Sequence, residues 1–346
     1  MMQFTILESS FKCGNCSVTS PLLPSMLNDG IASHGMGGNY DTGRILGRKT
    51  RHLNSATLFF GSTAAALLET EKVKHVERQC PDRVGIYVTA ETINLEDDFC
   101  FDLTAKVHGP DYVSPMQAPN TLANVVGSHF ASFAGITGPN CTIAAGQTGG
   151  FQAIQVATLG LSDQSIDMAI VGGVEVCSEY HRLAYVEDRE VSVAHGIIRA
   201  SQSDRLVFYP PITRLRNKAS EAEIAQWLKS ELGKQLVTEG LDAVLIAFKP
   251  DWLILENLHS TLCQIQVTKT VLVGEGFYGR GESCSALLAI GVGADLLRQE
   301  QVDWHALGGR VLGKHPSSLS RLGIIGFDEQ GQFTILLMEK RSCLSM

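Results

Sequence analysis

Gln147 stands at the tip of a strand-turn-helix segment, in a place where a cysteine or serine would do acyl-transfer chemistry. The segment is GPNCTIAAGQTGGFQAIQVATLGL, residues 138–161. Its β-branched run predicts a strand over 141–145. Phe151, Ile154, Val156 and Leu159 recur at about a helical period and predict a following helix. Gly146, Gly149 and Gly150 let the backbone turn sharply and approach another surface. In such an elbow the helix N-terminus aims its free N–H groups and positive dipole at whatever the tip residue holds. A glutamine carboxamide there is no nucleophile, but it can donate and accept hydrogen bonds where an acyl group would otherwise attach. Taken alone, the pattern is equally an ordinary strand-to-helix connection in an α/β domain, because Gly-x-x-Gly turns of this kind are common.

Segments on either side sharpen the choice. Upstream lies GPDYVSPMQAPNTLANVVGSHFASFAGITGPN at 109–140, and downstream IDMAIVGGVEVCSE at 166–179. With the elbow Gln147, Thr148, Gly149, Gly150 between them, the chain resembles the ketosynthases of the thiolase superfamily. Within them it resembles the chain-length factors, sister subunits of type II polyketide synthases that carry glutamine at the cysteine position. The resemblance is clear over about the central third and faint on the flanks. It implies an α/β chain with the thiolase-like duplicated five-layer αβαβα fold, a first half at 1–210 holding Gln147, and a shortened second half at 211–346. It also implies no cofactor and no metal.

Ketosynthases decarboxylate the malonyl unit with two histidines, and neither motif is intact here. In the first region, WLILENLHSTLC at 252–263, His259 lies near the expected place without the surrounding glycines and threonines. In the second, KTVLVGEGFYGRGES at 269–283, Lys269 matches the family lysine and Glu275 or Gly276 falls at the histidine. The C-terminal gating loop is reduced to GFDEQGQ at 326–332. A decarboxylative condensation needs a thiolate and donors around the enolate and oxyanion, so the resemblance implies no catalytic residue. His259 reads instead as a satisfied histidine near a strand end, and Glu275 as a turn carboxylate.

By the same resemblance, the segment just before Gly109 lies at the subunit interface and helps close the acyl tunnel. Counting back puts Leu95, Asp98, Phe99 and Asp102 there; Leu95, Phe99 and Leu103 also fit the alternative of an amphipathic core helix. The dimer face over 109–150 would include Phe130, Phe133, Gln147, Thr148 and Gly149. The implied role is a non-condensing partner of an active ketosynthase, in a heterodimer that helps set chain length. A malonyl-acyl-carrier-protein decarboxylase using Gln147 and a structural homodimer are the alternatives.

Composition bounds these readings. With 44% hydrophobic residues the chain can bury a large core, and the stretches 56–68 and 283–297 are too short and too rich in Gly and Ala to cross a membrane, so they read as buried helices. Strands are expected at 83–92, 241–248, 252–257 and 333–340, and a polar crossover helix at 218–240. The start, MMQFTILESSFKCG, shows no basic region followed by a long apolar core, which favours a cytoplasmic protein. Nine scattered cysteines fit reduced thiols, and Cys13 with Cys16 forms a lone C-x-x-C with no second pair at zinc-site spacing. A net charge of −8 without a basic run argues against nucleic acid and anionic membranes as partners. Acyl carrier protein is acidic too, so the partner subunit is expected to hold it.

Overall fold

The structure, a computed structural model, describes residues 2–14, 52–70, 73, 80–178, 180–181, 190–215, 220–234, 240–249, 251, 253–278, 281–302, 304, 311–328 and 332–341. Cys16 of the C-x-x-C pair lies outside them.

Five strands make the first array: β1 (Phe4–Gly14), β2 (Val84–Thr89), β3 (Asn140–Ile143), β4 (Met168–Glu175) and β5 (Glu190–Arg199), in the order β3-β2-β4-β5-β1. β3, β2 and β4 are parallel, and β5 runs antiparallel to both β4 and β1. The second array repeats this plan. β8 (Ala243–Ile246), β9 (Thr270–Val273) and β11 (Arg321–Phe327) are parallel, with β8 between the other two, and β12 (Gln332–Lys340) is antiparallel to β11. β6 (Leu206–Phe208) and β7 (Ile212–Leu215) pair with β12, and β10 (Val311–Gly313) extends the β9 edge. Phe208 pairs with both Phe4 and Met338, so β6 joins the two arrays into one twelve-stranded sheet.

Among the described residues the helices are α1 (Ser55–Leu68), α2 (Leu95–His108), α3 (Val125–Ala134), α4 (Gly149–Ser162), α5 (Glu221–Lys234), α6 (Leu255–Gln264), the short α7 (Glu275–Tyr278) and α8 (Ser285–Arg298). Three cores separate the layers. Phe59, Phe60, Val125 and Phe130 of α1 and α3 cover one face of the first array. Leu228, Leu258 and Leu262 of α5 and α6 cover the second array from outside. Between the arrays, α4 and α8 pack together and share the largest core. Strands covered on both faces need apolar residues at every position, and β2, β8 and β9 are buried along their whole length. α8 has the same need, and twelve of its residues are buried on all sides. The five-layer, duplicated α/β fold is thus present. Among the described residues no helix is long and apolar enough to cross a membrane.

Packing settles one point that spacing left open and changes two local expectations. The inward side of α4 is Phe151, Ala153, Ile154, Ala157 and Leu161, while Val156 is 37% and Leu159 64% exposed. The small residues Ala153 and Ala157 face inward because α4 lies against α8: a Cβ on Gly150 would stand 3.0 Å from the Ala286 Cβ. The expected strand at 252–257 does not form over its described residues, 253–257. Leu255, Leu258 and Leu262 share the buried face of α6, which begins inside that run. Lastly, α2 is not a core helix, for none of its residues is buried and Phe99 and Leu103 are half exposed.

Candidate functional site

The elbow forms as a 3-10 turn, Gly146–Thr148, between β3 and α4. Gly146 takes φ +56, a left-handed conformation that favours glycine. Across the seam a second 3-10 turn, Glu282–Cys284, leads into α8 in the same way, and the two turns touch. The two turns are therefore built alike: Gly146 and Glu282, the first residue of each, both take positive φ, and Gln147 and Glu282 both line the space where the turns meet.

A cavity of about 420 Å³ lies where the tips meet. Ala145, Gly146, Gln147 and Gln152 line it from the first half, together with Glu91 and Thr92 from the loop after β2 and with His181. Glu282, Asp328 and Gln332 line it from the second half. Thr148 itself is buried beneath the tip. Asp328 and Gln332 reach this point as well: Gln332 Nε2 donates to Thr148 Oγ1 at 2.6 Å, and Asp328 Oδ1 accepts from the Gln332 N–H at 2.6 Å.

Glu175, the last residue of β4, ties the parts together. Its Oε1 accepts from the Glu91 N–H at 3.1 Å and from Ser283 Oγ, and its Oε2 from the Thr92 N–H and Oγ1 at 3.3 and 3.0 Å. It thereby joins the first half's loop to the second half's turn. Complete burial pushes its carboxyl up to about 7, against the hydrogen bonds from Ser283 and Thr92 that favour the charged form. Burial likewise raises Glu91, and the nearby Glu282 charge adds to the effect. Buried Cys284 beside Glu175 is held well above the ordinary thiol range, again mainly by burial, so it is no activated nucleophile.

The residues singled out from the sequence divide into three groups. Gln147, Thr148 and Gly149 are at the elbow. His259, Glu275 and Gly276 are not among the residues that line its cavity. His259 lies on α6 with Nε2 3.2 Å from the Lys269 carbonyl oxygen and 3.5 Å from Cys263 Sγ, a satisfied ring on a helix rather than at a strand end. Glu275 and Gly276 belong to α7, which intervenes between β9 and the second turn. The second turn presents Glu282 to the cavity instead. Of the interface residues, Leu95, Asp98, Phe99 and Asp102 lie on the surface helix α2, where Phe99 stacks on Tyr180 at 4.6 Å. Asp98 is hydrogen-bonded to Asn94, and Asp102 pairs with Lys106 at 2.5 Å. Phe133 is half-buried and stacked on His129. Phe130 is a correction: it is 1% exposed, edge-on to Phe60 in the outer core, and offers nothing to a partner.

Sequence reasoning missed Glu91, Glu282, His181 and Gln152. A signal existed for Glu282. The run Gly281-Glu282-Ser283-Cys284 directly precedes an apolar helix, as Gly146-Gln147-Thr148 does.

Residues 41–206 match the family model described as the beta-ketoacyl synthase, N-terminal domain. No curated protein sequence matches significantly. Among solved structures, the chain is similar to an AntDE:AntF complex, a type II polyketide synthase acyl-carrier protein with its ketosynthase bound to the hexaketide. The TM-score is 0.74 and identity 12%, over 99% of this chain and 100% of that one. It is similar also to the ishigamide ketosynthase/chain length factor, at TM-score 0.69 and 15% identity over 99% and 100% of the two chains. A third is ketosynthase ApeO in complex with its chain length factor ApeC from Xenorhabdus doucetiae, at TM-score 0.65 and 13% identity over 84% and 83%. Residues 41–206 are thus similar to a beta-ketoacyl synthase N-terminal domain, and the described residues have the thiolase-like ketosynthase fold.

Proposed function

We propose that this chain is a non-condensing subunit of the chain-length-factor type, which pairs with an active ketosynthase and helps set product length in a type II polyketide or polyene pathway. The observation that carries this is Gln147 in the elbow, lining a cavity that Glu282 lines as well. An amide cannot form the thioester that condensation requires. Solved complexes of ketosynthases with chain length factors share the fold, which supports the pairing. So does the exposed flank of the first array. β3 is the outermost strand, paired among the described residues only with β2. Val156 and Leu159 on α4 and the half-buried Phe133 on α3, the two helices packed on β3, leave apolar side chains at the surface. An unpaired strand edge with apolar neighbours needs a cover. The acidic carrier protein is held chiefly through the partner subunit.

Incubated alone with acyl carrier protein substrates, the purified chain is expected to gain no acyl adduct by intact-mass measurement, while co-expressed with an active ketosynthase it co-purifies as a one-to-one pair. An adduct on this chain, or elongation without a partner, would overturn the proposal.

Helix α2 is the segment we assign to the tunnel end. A growing acyl chain stops where the next two-carbon unit meets a wall, and overpacking of roughly 1–3 kcal/mol shifts the balance between extension and release. In the reconstituted pair Phe99→Ala should lengthen the product by one or more two-carbon units and Leu95→Trp shorten it. Mass spectra showing unchanged lengths at lower yield would take the tunnel role away from α2.

A further inference from the structure

A cavity of about 570 Å³ opens at the amino ends of β8 and β9, where Asp242, Thr268, Lys269, Lys314 and His315 line it. The elbow cavity is at the other end of these parallel strands, since Glu282 and Asp328 follow the carboxyl ends of β9 and β11. The two lysines are opposite each other. Gly313 pairs with Thr270 where β10 runs antiparallel to β9, and one step further the Lys314 N–H donates to the Lys269 carbonyl oxygen at 3.0 Å. Thr270 Oγ1 donates in turn to the Lys314 carbonyl oxygen, and a Cβ on Gly313 would collide with the Lys269 carbonyl, so the two backbones are held close. Like charges directly opposite on paired strands are destabilising. Neither ammonium group has a hydrogen bond or an ion pair among the described residues. Asp242, which also lines the cavity, has its Oδ2 occupied by the Ser320 and Arg321 N–H groups at 2.6 and 2.9 Å. His315 is stacked on Trp304 at 5.5 Å, and Trp304 Nε1 donates to the Pro316 carbonyl oxygen at 2.7 Å, which holds the pair in place.

We propose that this cavity is a binding site for a phosphate monoester, held by Lys269, Lys314 and His315. Such a group carries close to two negative charges at neutral pH and offers three acceptor oxygens. It therefore matches two ammonium groups and relieves the repulsion between them. Lysine binds phosphate as a point charge, without the planar fork by which arginine grips a carboxylate. In a chain of net charge −8 the long-range field opposes any anion, so binding here has to come from short-range contacts. Both lysines are exposed, which lets a ligand reach them from solvent, while the hydrogen-bonded backbone beneath them sets their spacing before the ligand arrives. The site is separate from the elbow and does not depend on pairing with a ketosynthase.

Inorganic phosphate is the probe, titrated into the full chain at constant ionic strength. Thermal melting reads the linked gain in stability, and phosphorus nuclear magnetic resonance reads binding directly. The wild type is expected to show a saturable effect with a midpoint on the order of 1 mM, as suits a few charge-assisted contacts. Phenyl phosphate, a monoester, should displace the phosphate, and acetate at the same ionic strength should leave the melt unmoved. Lys269→Met and Lys314→Met should each weaken phosphate binding about tenfold or more, yet each should melt above the wild type in phosphate-free buffer, because the repulsion is gone. Lys229→Met, an exposed lysine on α5 away from the cavity, should change neither reading. Should a methionine variant fail to fold, Lys314→Gln removes the same charge. A phosphate effect that does not saturate, that survives in the variant lacking both lysines, that acetate reproduces, or that phenyl phosphate does not compete with would overturn the proposal.

Discussion

Leu159→Glu or Phe133→Glu is expected to abolish pairing with an active ketosynthase, weakening it by about 100-fold or more, while the chain alone melts as the wild type does. The physical cause is an unpaired carboxylate carried into an apolar interface, where its lost hydration is not returned and costs several kcal/mol. Both residues lie on helices packed against the outermost strand β3, one on each. Phe130→Glu gives the contrast. Its ring is in the core against Phe60, so a charge there should unfold the chain before any partner is involved. Size-exclusion elution of the co-expressed pair, read beside melts of the isolated variants, distinguishes the two. Normal elution of both surface variants would move the interface elsewhere.

The second large effect is a cancellation that substitution reveals. Glu175 has a folded pKa near 7 against an ordinary 4.5, so its contribution to stability is fully present below 4.5 and is lost as pH rises to about 7. His195 is the reverse case. It is buried between Ser9 and the Leu287 carbonyl oxygen, 2.8 and 2.9 Å away, and burial lowers its pKa from 6.5 to about 4. Its contribution is present above 6.5 and is lost as pH falls to about 4. Each is worth ~3 kcal/mol at about 1.4 kcal/mol per tenfold change in proton affinity. Between pH 4.5 and 6.5 the two slopes oppose each other, and they should nearly cancel in the wild type. Glu175→Gln leaves His195 alone, so stability should climb by ~3 kcal/mol from pH 4 to 6.5. His195→Gln should show the opposite slope from pH 4.5 to 7. Urea unfolding at half-unit steps of pH measures both, and parallel profiles for the three proteins would exclude these two groups as the source of any pH dependence.

Much of the site's first half was readable locally. A strand, three glycines and an apolar helix must turn sharply, and the residue at the turn is the one presented, so Gln147 could be placed from a few neighbours. The second half was not. The counterpart turn follows β9 only after the extra helix α7, and counting from Lys269 therefore stopped at Glu275, seven residues short of Glu282. His259 drew attention as a lone histidine, but its ring is satisfied by Lys269 and Cys263 within and beside its own helix.

The sequence by itself determined the local devices: fully apolar strands for a sheet covered on both faces, a central helix apolar all round, and an elbow without a nucleophile. These follow from short-range backbone preference and from the need to bury apolar runs. Tertiary structure alone decided which side of α4 faces inward, that α2 lies on the surface although its apolar spacing suits a core, and that Phe130 is inside while Phe133 is not. It also decided that Glu91, Glu282 and Asp328, up to 237 positions apart in the chain, line one cavity with Gln147, and that Glu175 ties the loop to the second turn beside it. Burial direction and charge neighbourhood come from the packing of distant segments, which spacing along one segment does not encode.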